Sequence, residues 1–327
     1  MSNLAEYTTK TSKTAEAIYR LYEERSNAEP TRNYLGASII GHECERYLWF
    51  AFRQAFKPRF PGRILRLFDT GKREESRIIA ELEAIGVTVE GQDPQISVEA
   101  LGGHFRGHLD GKGLGIPEAP KTWHVLEFKT HNTASFNKLK KEGVKASKPM
   151  HYAQMQVYMG CTMLTRALYV AVCKDTDEIY TERIQYDKTE FAALMRKAKH
   201  IIESITPPPR ISERKDFYLC KFCDASTICR PLGSTVPLPR QDCRTCCHAT
   251  PETAPNVAGT WTCARKLPMD NGETCKAHLL IPDLIPWAEV IDAGADWIMF
   301  RNHDGGEEWV HGAKGKSTAD LIKVLPF

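Results

Sequence analysis

Residues 123–130, WHVLEFKT, constrain this chain more than any other segment. The apolar run predicts a buried strand. It nevertheless carries Glu127 and Lys129. Side chains at i and i+2 share one face of a strand, so these two point the same way and Phe128 points to the other face. A buried carboxylate and a buried ammonium are costly unless they are paired or serve a purpose. Residues 104–110, HFRGHLD, read as the neighbouring strand, and Asp110 closes it within reach of Glu127 and Lys129. Two carboxylates and an ammonium at one point suit phosphodiester hydrolysis. Mg2+ prefers oxygen ligands. It lowers the pKa of a bound water and offsets charge growing on a phosphate. An ammonium such as Lys129 can orient that water or stabilise the developing charge. The plainer alternative is a surface strand with a cross-strand ion pair.

The rest of the pattern alternates helix and strand. A helix is expected near residues 14–25, and others over 43–56 and 72–86. Residues 95–101 and 104–110 form a hairpin across Gly102-Gly103, and 111–122 read as a loop. Residues 132–143 and 149–164 are helical. Residues 167–174 and 178–187 form a second hairpin, and 188–205 an amphipathic helix. The Pro207-Pro208-Pro209 run breaks this order. Residues 231–240 read as a linker. The tail over 287–312 reads as a helix and a hairpin around Asp304-Gly305-Gly306. His303, Asp304, Glu307 and Glu308 there are a solvated turn. The 327 residues thus divide into a core over 1–232 and a Cys-rich module over 233–327.

Composition narrows the class. A net charge of +3 permits a nucleic-acid partner without demanding one. No stretch approaches the ~20 apolar residues of a membrane helix, and the first residues have no apolar signal core. A cytoplasmic protein is expected. There, eleven cysteines point to metal rather than disulfides. Eight of them fall within 217–278. Cys161 and Cys173 lie in apolar contexts and read as core.

Asp110…Glu127-Phe128-Lys129 resembles the D…ExK signature of PD-(D/E)XK nucleases. Gln154-Met155-Gln156-Val157-Tyr158 resembles the QxxxY motif of their RecB-like branch. Upstream, Gly71 followed by three residues and then Glu75 stands where that branch has a metal-binding His or acid; Glu74 is the other candidate. Cys44 with Cys220, Cys223 and Cys229 resembles the iron–sulfur staple of AddB and of CRISPR-adaptation nucleases. The resemblance covers residues 35–230, and four motifs in order are more specific than any one. It implies a restriction-endonuclease-like α/β core with a mixed central sheet flanked by helices. It implies Mg2+ or Mn2+ on Asp110, Glu127, Glu75 and the Phe128 carbonyl, with Lys129 catalytic. Gln154 and Tyr158, one helical turn apart, would position the DNA strand or the lysine. It also implies a [4Fe–4S] cluster on the four cysteines and a bacterial or phage source.

By spacing alone, the first four cysteines suit either iron–sulfur or Zn2+. Cys243, Cys246, Cys263 and Cys275 form a second set that suits Zn2+, with His278 an alternative fourth ligand. Lys138, Lys140, Lys141, Lys145 and Lys148 read as a solvated helix face that could meet phosphates. The expectation is a metal-dependent DNA nuclease that processes ends in recombination, repair or replication, with a possible protein partner from that machinery. The alternatives are a non-catalytic DNA-binding protein on the same fold and a zinc-dependent regulator.

Overall fold

The computed structural model describes residues 12–30, 32–230, 238–255, 257–269 and 274–324. The expected boundary at 232/233 and most of the expected linker lie outside the described residues.

The chain runs through α1 (Lys13–Ala28), β1 (Leu35–Gly36), α2 (Glu45–Phe52) and the long α3 (Gly62–Ala84). Strands β2 (Thr88–Glu90), β3 (Ser97–Ala100), β4 (Phe105–His108), β5 (Gly111–Leu114) and β6 (His124–His131) follow. Then come α4 (Thr133–Ser147), α5 (Pro149–Thr162), β7 (Arg166–Cys173), β8 (Ile179–Gln185) and α6 (Lys188–Glu203). Two single-turn helices, α7 (Tyr218–Lys221) and α8 (Ser226–Cys229), end this part.

The central sheet has the order β2-β5-β6-β7-β8. Only β6 and β7 are parallel, joined by the α4–α5 crossover; the other pairs are antiparallel. One face carries Leu126, Phe128, Leu168, Val170 and Val172 against Ile78 of α3. The other carries Val125, Ala167, Tyr169 and Ala171 against α4 and α5. Alternate side chains of β6 thus serve opposite faces, as a two-residue period requires. This is the mixed sheet flanked by helices that the sequence leads one to expect.

Helix α3 begins ten residues before the expected 72–86 helix, and two further segments differ from expectation. The Gly-rich stretch after Asp110 is strand β5, and it pairs with β6. β4 lies instead in a separate small sheet of order β1-β4-β3. Asp110 therefore sits at the corner between two sheets and opens the strand beside β6. Glycine is required there: Gly111 has φ +149, and a Cβ on Gly113 would stand 3.0 Å from the Leu126 side chain.

The second of these segments is the tail. β9 (Ala249–Pro251) and β10 (Trp261–Cys263) form a ribbon, and β11 (Ala288–Ala293), β12 (Trp297–Asn302) and β13 (Glu308–Gly312) an antiparallel sheet, before α9 (Thr318–Val324). The helix expected at the start of the tail is strand β11. Pairing along β12, with a bulge between Val290 and Asp292, overrides its local preference.

The Cys-rich part shares one core with the rest. Leu279, Leu280, Ile285 and Phe300 belong to the same buried cluster as Leu48, Trp49 and Tyr158. Buried Arg53 ties the two together. It donates to the Ser204 carbonyl at 2.9 Å and to the Arg244 carbonyl at 3.1 Å, and its guanidinium lies 5.2 Å from the Trp261 ring centre. Trp261 also stacks on Phe52 at 5.6 Å. His104 meets the Thr260 carbonyl at 2.9 Å.

Candidate active site

β6 delivers Glu127 and Lys129 to one face, as the period predicts. Glu127 is fully buried. Lys129 Nζ contacts Glu127 Oε1, lies 4.0 Å from Asp110 Oδ2, and donates to the Phe128 carbonyl at 3.0 Å. Asp110 Oδ2 accepts from the Phe128 amide at 2.8 Å, which fixes the carboxylate against β6. The Phe128 carbonyl, expected beside a metal, is thus engaged by Lys129.

The electrostatics are those of crowded anions. Burial pushes the Glu127 carboxyl up to about 7; Lys129 opposes this, while Asp110 and Glu75 add to it. Lys129 is the partner of Glu127 Oε1, while Oε2 meets no donor among the described residues. Burial lowers the Lys129 ammonium, but Glu127 and then Asp110 outweigh it and hold the proton more tightly. Of the two candidate glutamates on α3, Glu75 faces this group. Burial and then Asp110 raise its carboxyl, with Lys129 and Lys72 opposing. Glu74 instead pairs with Arg77 at 3.4 Å.

A cleft of about 300 Å3 opens beside the group. Its lining includes Glu75, Lys129, Thr130, Lys72, Lys174 and the exposed Phe68. Lys72, Lys174 and Phe68 carry no motif and are missed by sequence reasoning. Position on α3, one turn from Glu75 for Lys72 and two turns for Phe68, was the available signal.

Gln154 and Tyr158 meet as expected, Gln154 Nε2 donating to the Tyr158 hydroxyl at 3.1 Å. Both are buried. Burial and then Glu127 hold the Tyr158 phenol above its ordinary range, so this pair backs the carboxylate. A Cβ on Gly107 would stand 2.5 Å from the Tyr158 ring, which is why β4 carries glycine there. The lysine run is largely engaged: Lys140 pairs with Glu178, Lys138 stands 3.8 Å from Glu142, and Lys148 donates to Ser135.

Cys44, Cys220, Cys223 and Cys229 line one small cavity of about 30 Å3, together with Arg46, Arg210 and Arg230. Burial pushes the Cys223 thiol up to about 11, and the other three thiols add to the rise. In the second set, burial pushes Cys243 up to about 11, with Asp242, Cys246, Cys275 and Cys263 adding. Cys246 Sγ accepts from the His248 and Leu279 amides at 3.5 and 3.4 Å. His278, the alternative ligand, is occupied elsewhere. Its Nδ1 meets Thr318 Oγ1 at 2.8 Å and its Nε2 the Asp242 carbonyl at 2.9 Å. Among the described residues, no three His, Cys, Asp or Glu side chains already form a group fit to hold one metal ion. Cys173 is buried and Cys161 packs against the core, as expected.

A five-stranded mixed sheet between helices, bearing an Asp and a Glu-x-Lys at adjoining strands, defines a restriction-endonuclease-like protein. The chain belongs to the PD-(D/E)XK nuclease superfamily, whose family model matches residues 4–230. Solved structures similar to it include that of SSO0001, at 17% identity and a TM-score of 0.40, covering 67% of this chain and 97% of that one. LHK-Exo in complex with dAMP is similar at 17% identity and 0.39, covering 57% and 90%. A phage-related exonuclease from Haemophilus somnus is similar at 14% and 0.30, covering 61% and 84%. A search of curated proteins finds no match. No described helix is long and apolar enough to cross a membrane.

Proposed function

We propose that this protein is a divalent-metal-dependent deoxyribonuclease that trims DNA ends in recombination, repair or replication. One observation carries the reading. Glu127 is a fully buried carboxylate that contacts Lys129, yet burial and the crowding of Asp110 and Glu75 still push its carboxyl up to about 7. A Mg2+ or Mn2+ ion answers that arrangement, and an all-oxygen donor set suits both. When bound, such an ion supplies a nucleophilic water and offsets charge on the phosphate.

The chain's own residues do the rest. Asp110, Glu127 and Glu75 hold the ion. Lys129, kept as an ammonium by its two carboxylates, faces the phosphate and stabilises the charge that develops on it. Gln154 and Tyr158 keep Glu127 in place from behind. Lys72 and Lys174 draw the strand into the cleft, and Phe68 offers a ring on which an unstacked base can lie. A cleft of this size admits a single strand rather than a duplex, which fits action at ends.

The cysteines support two further parts of the reading. Cys44, Cys220, Cys223 and Cys229 hold a [4Fe–4S] cluster, and the three arginines of their cavity offset its negative charge. Cys243, Cys246, Cys263 and Cys275 hold Zn2+, where amide donors to a thiolate such as those on Cys246 are favourable.

End-labelled single-stranded and duplex DNA, linear and circular, incubated with Mg2+ or Mn2+ tests the activity. Wild type degrades linear strands; Asp110→Ala and Lys129→Ala lose at least about a hundredfold. If wild type binds DNA and cleaves none of the four substrates, the fold serves binding alone. Iron, sulfide and zinc analysis of anaerobically purified protein tests the two cysteine sets separately.

A further inference from the structure

A line of polar side chains behind β6 plays no part in the reading above. His131 follows Lys129 by two residues and shares its face of β6. Tyr169 stands opposite Glu127 in the β6–β7 register. Ser135 lies in the first turn of α4. His151 lies in the first turn of α5, three residues before Gln154.

Their contacts form one chain. Lys148 Nζ donates to Ser135 Oγ. Ser135 Oγ lies 3.3 Å from His131 Nδ1. His131 Nε2 lies 2.9 Å from the Tyr169 hydroxyl, which lies 2.9 Å from His151 Nδ1.

The direction of every proton in this chain follows from its first member. An ammonium only donates, so the Ser135 oxygen accepts and its own proton goes to His131 Nδ1. His131 therefore carries its proton on Nε2 and donates to the Tyr169 oxygen. The Tyr169 proton then goes to His151 Nδ1. His151 is left with its proton on Nε2. The reverse order would leave the Ser135 hydroxyl proton without an acceptor among the described residues. Burial, then the ammonium groups of Lys148 and Lys129, lower His131 to about 4. Burial, then Lys129, His131 and Lys148, lower His151 to about 3. Both rings are neutral at physiological pH.

His151 Nε2 has no partner among the described residues, and the side chain is only half-buried. Of the charged groups, Lys129 acts on it most strongly. We propose that His151 is a DNA-binding residue of the active site, presenting an uncharged N–H whose tautomer is fixed by Tyr169 to a phosphate oxygen of the bound strand. The inference rests on the nuclease reading. Phosphate oxygens only accept, so the fixed tautomer matters: the other one would turn a lone pair toward them. A neutral donor also adds no positive charge beside Lys129, where a further cation would weaken the hold on the metal.

The test uses the full-length protein and a labelled single-stranded oligonucleotide in EDTA, so that binding is read without cleavage. His151→Ala lowers affinity about tenfold or more, the usual effect of losing a hydrogen bond to a charged group. The slope of log affinity against log salt stays the same, because a neutral donor releases no counterion. His151→Gln, whose amide nitrogen donates without charge, keeps affinity within about threefold. In 15N NMR at pH 7, wild-type His151 carries its proton on Nε2. Matched thermal unfolding confirms that the variants fold. Unchanged affinity in His151→Ala overturns the proposal. So does a slope shallower by about 0.7, the value for one lost charge on a single strand, or a proton on Nδ1. A wild type that neither binds nor cleaves DNA overturns the nuclease reading itself.

Discussion

Replacing Glu127 by Gln separates what this residue costs the fold from what it does. Its carboxyl is held at about 7 against an ordinary 4.5, because burial disfavours the charged form. Between those two values the folded protein binds a proton more tightly than the unfolded chain. Stability therefore falls as pH rises through about 4.5 to 7, by about 3 kcal/mol in full at 1.36 kcal/mol per pH unit. Glu127→Gln has no such proton to lose. Thermal unfolding without metal, followed by circular dichroism at pH 5 and pH 8, reads the difference, and the groups common to both proteins cancel. From pH 5 to pH 8 about 2.5 kcal/mol of that stability is lost, so wild type loses about 5 °C more than the variant, at about 2 °C per kcal/mol. Mg2+ then restores it. At a hundred times its dissociation constant an ion adds about 2.7 kcal/mol at pH 8. The gain is smaller at pH 6, where Glu127 keeps its proton, and absent in the variant. If wild type and variant move in parallel with pH, Glu127 is not a destabilising buried acid. If both gain equally from Mg2+, it is not a metal ligand.

Three further outcomes are expected. Gly107→Ala forces its Cβ against the Tyr158 ring and hydroxyl; it costs about 1–3 kcal/mol as overpacking and lowers the cleavage rate, measured by single-turnover kinetics. Arg53→Met removes two buried hydrogen bonds and the packing on Trp261; it costs about 3 kcal/mol and speeds proteolysis after residue 238. Cys223→Ser removes one of the four thiols around the cavity below α2; bound iron and apparent melting temperature fall together, while zinc content is unchanged.

What the sequence reveals here is local. Glu127, Phe128 and Lys129 are legible because a strand's period is two and an apolar strand with charges in it is conspicuous. The Gln154–Tyr158 pair is legible because four residues make one helical turn. Strand β5 is not, because Gly111-Lys112-Gly113 looks like a loop until Leu126 leans over it. Strand β11 is not, because its conformation is set by β12 rather than by its own residues. Glu75 is chosen over Glu74 only by the orientation of α3 on the sheet. The line from Lys148 to His151 joins four elements through contacts 4 to 38 residues apart in sequence, and no periodicity announces such a path.

The shared core has a practical consequence for how this protein can be divided. The family match ends at residue 230, which invites cutting the chain there. Such a cut would strip Trp261 from Phe52, take the Arg244 carbonyl from Arg53, and uncover the apolar core surface that Leu279, Leu280 and Phe300 help to cover. The fragment would keep every residue of the carboxylate–lysine group and still be an aggregation-prone protein with a charged guanidinium stranded on a greasy surface. Inactivity of a truncated chain would therefore say nothing about whether the C-terminal part touches DNA.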